Sequence, residues 1–245
     1  MQTQDAPAEF IVKLWPWLEA NRNRLIGAAA AILVVAGVVY FISSQREQRE
    51  VDAGQALTML LVSPTDNTNT AERANAFADL AVKYAGTDAG RRARLQAGAS
   101  FFDAGSYADA QTQFQDFLKA SSTGPLAATA ELGLAASLEA QNKLDQAAAA
   151  YQRVVSVYPG SDCVQPAEFA LGRIAEAQNK LSVAISHYEN VASIGGGSSL
   201  VREAAVREAE IKAKMAAAAP KPAVVTAPAV APKPAAVLTP ATNSK

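Results

Sequence analysis

The sequence has one cysteine, Cys163, and one histidine, His187. A single cysteine leaves no intrachain disulfide and no cysteine-based zinc site. A Ser–His–Asp triad, a two-histidine metal site or a Cys–His dyad would each have to draw on His187, so counting alone removes most common active sites. Net charge is −1, with 22 Lys and Arg against 23 Asp and Glu, and no long basic patch interrupts that balance. General attraction to nucleic acid is therefore absent. No catalysis, cofactor or metal is expected.

Aromatic residues are also scarce, at 7%, although half of the residues are apolar. Alanine makes up the difference, with 55 of the 245 positions. Alanine is the best helix former and lets helices approach closely, while burying little area per side chain. Thin, closely packed helices fit this composition better than a β-sandwich or barrel.

Residues 25–42, LIGAAAAILVVAGVVYFI, carry no charge over 18 positions. At about 1.5 Å per residue they extend roughly 27 Å, close to the hydrocarbon thickness of a bilayer. The run exceeds a signal-peptide apolar core, and the bulky Tyr40, Phe41 and Ile42 precede the small Ser43 and Ser44. An uncleaved anchor is the reading adopted, and a lipoprotein is excluded because no cysteine follows the run. Lys13, Arg22 and Arg24 before the span, against Arg46 and Arg49 after it, favour a cytoplasmic N-terminus. Residues 1–24 are then a cytoplasmic segment, and everything after the span lies across the membrane. Trp15 and Trp17 suit the membrane interface, as an aromatic anchor or as part of a short surface-lying helix.

An internal repeat decides the fold. Residues 98–117, 135–154 and 172–191 match at a constant offset of 37. Gly98, Ala135 and Gly172 correspond, as do Gly105, Asn142 and Asn179, then Ala110, Ala147 and Ala184, then Phe114, Tyr151 and Tyr188. Self-similarity at this period marks a stacked repeat architecture. Each copy reads as helix, turn, helix. In the middle copy the helices are expected near 128–141 and 145–157, turning at Asn142-Lys143 and stopping at Tyr158-Pro159-Gly160. Phe77 and Tyr84 align with Tyr151 and Tyr158 at twice the offset, so a fourth, degenerate unit precedes the others, its first helix continuing from the span.

Gly195-Gly196-Gly197 breaks the chain, and residues 200–215 form a charged closing helix. From 219 onward the chain is rich in Ala, Pro, Val and Lys; residues 219–245 are read as an extended, disordered tail, partly polyproline II. The repeat domain is thus placed at 43–218.

The small Ala135, the small Ala147, the aromatic Tyr151 and the closing Pro159 resemble the spaced positions of the tetratricopeptide repeat, at a period of 37 instead of the usual 34. The larger plan is an aromatic N-terminal stretch, EFIVKLWPWLEANRNRLI, then one span, the charged QREQREVDAGQAL, and the repeats. It resembles the bacterial family of ancillary SecYEG translocon subunits (YfgM-like). That resemblance implies an all-α protein with one transmembrane helix at 25–42 and a periplasmic solenoid. It also implies contacts with the Sec translocon and with periplasmic chaperones. A cell-envelope or cell-division scaffold built on the same repeats is the alternative.

In the tetratricopeptide register, Arg92, Phe102, Glu139, Arg173 and Glu176 fall on the concave face lined by the first helix of each unit, and these are the candidate protein-binding residues. Residues 43–219 carry 16 basic and 20 acidic side chains, a net of −4, which opposes nucleic-acid binding and suits protein partners. His187, in the second helix of the third unit, reads as a packing or helix-surface residue, and Cys163 as a small apolar one.

Overall fold

The computed structural model describes residues 6–62 and 70–218. Among them are nine helices and no strand. They are α1 (Ala6–Val62), α2 (Thr70–Lys83), α3 (Asp88–Asp103), α4 (Tyr107–Ala120), α5 (Ala127–Ala140), α6 (Leu144–Val157), α7 (Val164–Ala177), α8 (Leu181–Ile194) and α9 (Ser199–Ala218). The tail and the residues 63–69 lie outside the described residues.

The 57-residue α1 is uninterrupted, so Trp15 and Trp17 ride on the same helix as the span and form no separate surface helix. Both rings are exposed, as are the side chains of the apolar run. The helix is long and apolar enough to cross a membrane, with a mean hydropathy of 2.6 in its most apolar stretch. The apolar run, exposed on every side, needs lipid or a partner to cover it, whereas the end of the same helix buries Ala53 and Leu57 against the repeats.

Beyond the span the chain is a stack of helical hairpins. Each helix packs on its sequence neighbours, and α3 also touches α5. The turn inside each hairpin needs one residue in the left-handed region: Gly105 (φ 77°), Asn142 (φ 57°) and Asn179 (φ 57°) occupy that position. Gly pays no steric penalty there and Asn tolerates it, so three different-looking turns are one turn. The middle unit's helices begin one residue earlier than the spacing predicts, and its second helix ends at Val157 as expected.

The core follows the repeat columns. Phe77 and Tyr188 are fully buried, Phe114 and Tyr151 nearly so, and Ala110, Ala147 and Ala184 have no exposed surface. Each aromatic lies against small residues. A Cβ on Gly98 would sit 2.8 Å from the Phe114 ring, and one on Gly172 would sit 2.5 Å from the Tyr188 ring. A Cβ on Gly133, in the following unit, would also strike Phe114. Phe114 therefore bridges two units, which is how a solenoid gains a continuous core from units that cannot bury themselves alone. At the far end α9 closes the stack by burying Ala204 and Ile211 beside Tyr188.

Candidate protein-binding groove

The first helices of successive units, α3, α5 and α7, present equivalent positions 37 residues apart. Leu95, Leu132 and Phe169 form one column; Ala99, Ala136 and Arg173 a second; Phe102, Glu139 and Glu176 a third. Side-chain size along these columns decides where the groove is open.

Between α3 and α5 it is open. Leu95, Ala99, Phe102 and Asp103 of α3 face Thr129, Leu132, Gly133 and Ala136 of α5, with Phe114 beneath, around a notch of about 270 Å³. Asp103 is its only charged lining residue. Phe102 also meets Tyr107 edge-on, with ring centroids 5.2 Å apart.

Between α5 and α7 the equivalent space is occupied. Where the first notch has Ala136, this one has Arg173, whose guanidinium donates to the Glu139 carboxylate at 2.7 Å and lies 6.0 Å from the centre of the Phe169 ring. Glu139 also accepts a hydrogen bond from the Tyr151 hydroxyl at 2.8 Å. One unit further on, the Tyr188 hydroxyl donates to Glu176 at 3.1 Å and Arg207 stands 3.8 Å away. Burial, reinforced by Glu139, raises the Tyr151 phenol well above its ordinary range. Burial and the bond to Glu176 do the same for Tyr188. In the first unit Phe114 and Phe102 replace the tyrosine and the glutamate together, so no carboxylate is left there without its donor.

Of the candidate residues, Glu139 and Arg173 are brought into direct contact and Glu176 forms the equivalent pair with Tyr188. Phe102 lines the open notch. Arg92 lies apart, in a crevice with Asp88, Arg91 and the loop before α5. Similar crevices recur beside Pro159–Asp162 and Gly195, so they belong to the repeat geometry.

A second set of polar contacts joins the two helices of each unit at a spacing of 22 residues. Buried Glu131 accepts from Arg153 Nε at 2.7 Å. Buried Glu168 contacts His187 Nδ1 at 2.7 Å and accepts from Asn190 at 3.2 Å. Arg94 faces Asp116 at 3.7 Å with the signs reversed. His187 is thus held inside the third unit against a buried carboxylate, a packing role. Cys163 is half-buried, 3.8 Å from the Thr129 hydroxyl. Among the described residues no group of three or more His, Cys, Asp or Glu side chains could hold a metal.

Over residues 15–155, more than half of its length, the sequence matches the tetratricopeptide repeat-like domain. The chain belongs to that family. Solved structures with the same architecture include the TPR-like repeats of a Podosopora anserina kinesin light chain. They are 12% identical, with a TM-score of 0.52 over 71% of this chain and 88% of that one. MamA from Desulfovibrio magneticus RS-1 is 16% identical, with a TM-score of 0.47 over 70% and 96% of the two chains. PilF of Pseudomonas aeruginosa is also 16% identical, with a TM-score of 0.44 over 76% and 89%. No curated protein matches the sequence. Tetratricopeptide-like repeats imply a protein–protein interaction scaffold, and proteins with this fold are typically non-catalytic.

Proposed function

We propose that the protein is a single-pass membrane scaffold that holds an extended, apolar segment of a partner protein in the notch between α3 and α5. The observation that carries this reading is Ala136: it leaves open the space that Arg173 fills one unit later. Glu139 and Glu176 of the first-helix face are already paired, which leaves Asp103 as the only charged side chain lining the notch. The repeat domain faces the periplasm, since Arg22 and Arg24 hold the N-terminus in the cytoplasm. The resemblance to ancillary Sec translocon subunits makes the translocon, the chains emerging from it and periplasmic chaperones the partners to test. The protein performs no catalysis in this role.

The test is photo-crosslinking in intact membranes from Leu132, in the notch, and from Val157, exposed on the second helix of its unit. Adducts to translocon subunits, chaperones or exported chains from Leu132 and not from Val157 are expected. Equal labelling from both positions, or adducts only to cytoplasmic proteins, would overturn the proposal.

A further inference from the structure

We propose that the chain's own C-terminal segment around Pro232-Lys233-Pro234 docks at the α3–α5 notch and competes with the partner. This rests on the notch being the binding site. The notch offers what a polyproline II ligand uses: a half-buried aromatic pair, Phe102 and Tyr107, beside an apolar depression, with a carboxylate, Asp103, at its edge. Pro-rich segments dock on aromatic-lined grooves because they are already extended and lose little entropy on binding. Residues 219–245 supply six prolines, three lysines, no acidic residue and no aromatic one. The domain they follow carries a net charge of −4.

Reach excludes Lys221, and of the two lysines that remain only Lys233 stands between prolines. Short turns make consecutive helices antiparallel, so α3, α5, α7 and α9 run in the same direction. The segment after Ala218 therefore emerges at the same end of the stack as Asp103, the last residue of α3. Three steps from first helix to first helix separate α9 from α3; these helices touch only lightly, so each step is at least the 8–10 Å of packed helices and the total is about 30 Å or more. A chain spans at most about 3.3–3.6 Å per residue, so Lys233 can lie up to roughly 50 Å beyond Ala218 and Lys221 only about 11 Å. Lys233 can meet Asp103 and Lys221 cannot, although both stand between prolines.

Hydrogen exchange of the full chain in lipid nanodiscs tests this. Amides at 95–110 are expected to exchange roughly fivefold faster in Lys233→Glu and in a Pro232→Ala/Pro234→Ala variant than in the parent chain. Lys221→Glu should match the parent, and α7 should be unchanged in all of them. Unaltered exchange in the first two variants, or an equal effect of Lys221→Glu, overturns the proposal. So does protection that disappears on dilution, because the occupant is then another copy's tail. Crosslinking from Leu132 separates this from the function above. Partner capture without tail-dependent exchange leaves the groove reading standing and removes the tail. Tail-dependent exchange without partner capture does the reverse. If both hold, Lys233→Glu captures more partner than the parent chain.

Discussion

The carboxylate of Glu50, on the helix that carries the apolar run, accepts hydrogen bonds from the backbone N–H groups of Asp88 at 2.9 Å and Ala89 at 3.0 Å. These are among the first N–H groups of α3, which have no partner inside their own helix and carry the positive end of its dipole. Thr87 satisfies Gly90 N–H in the same turn at 2.9 Å. Glu50 stands eight residues past Ile42, about 12 Å along the helix. The link between the span and the first repeats is therefore a bonded contact and not a loose tether.

Removing that contact should loosen the stack at the end next to the apolar run. Glu50→Ala is expected to cost about 1–2 kcal/mol, in the range of a lost charged helix cap. Glu50→Gln, which keeps one acceptor oxygen, should cost less. Thermal unfolding of the full chain in detergent measures both, and a variant indistinguishable from the parent would show that Glu50 contributes nothing to the junction.

Orientation is a separate expectation. Protease added to spheroplasts should digest residues 51–245 and leave the N-terminal segment protected. Full protection of the repeats, with intact controls, would reverse the assignment made from Lys13, Arg22 and Arg24.

The buried phenols give the repeats an alkaline limit. Tyr151 and Tyr188 hold their protons to higher pH in the folded chain than the ordinary value near 10. Above that value the folded state binds more protons than the unfolded one. The stabilisation is thus complete below about pH 10 and is lost as pH rises further. Tyr151→Phe and Tyr188→Phe should each cost about 0.5–1.5 kcal/mol at neutral pH. Each should also flatten the decline seen when urea unfolding is repeated between about pH 8 and pH 11. An unchanged alkaline slope in the double variant would place the alkaline sensitivity elsewhere.

Arg153 and Lys119 separate buried from exposed ion pairs. Arg153 is half-exposed, but its partner Glu131 is buried, so Arg153→Ala leaves a carboxylate without its counter-charge. A cost of about 1–3 kcal/mol is expected. Lys119 pairs with Asp116 in the open, and Lys119→Ala should change stability by less than about 0.5 kcal/mol. Chemical denaturation of the two variants decides, and equal costs would contradict the burial assigned to Glu131.

Much of the fold can be read from period alone, because each of its determinants repeats. The left-handed turn is visible as Gly105, Asn142 and Asn179, and the inter-unit aromatic as Phe114, Tyr151 and Tyr188. The groove is only half legible. Placing Phe102, Glu139 and Glu176 in one column follows from the offset. Whether the neighbouring space is open depends on Ala136 against Arg173 in the adjacent helix, which the sequence shows only once the packing of α5 on α3 and α7 is known. The pairing of residues 94, 131 and 168 with 116, 153 and 190 is present in the sequence as a fixed spacing of 22, which a 37-residue period alone does not single out. Glu50 and Asp88 had no such signal, since their contact occurs once, at the end where the repeat begins.

The repeat register itself is tested in the middle unit. Ala147 has no exposed surface and Tyr151 is 3% exposed, whereas Lys143 and Gln152 are exposed. Replacing Ala147 with Leu inserts bulk where α6 meets its neighbours and should cost about 1–3 kcal/mol. Replacing Tyr151 with Ala opens a cavity in the core and removes the hydrogen bond to Glu139, for about 3–5 kcal/mol. Because units stabilise one another through their interfaces, the loss should spread along the stack and lower cooperativity as well as the midpoint. Lys143→Ala and Gln152→Ala should each stay within about 0.5 kcal/mol. Denaturant unfolding of the four variants gives the comparison. If Ala147→Leu and Tyr151→Ala prove as mild as the two surface changes, the 37-residue register is wrong. The columns that place Ala136 opposite an open notch and Arg173 in a filled one would then fall with it.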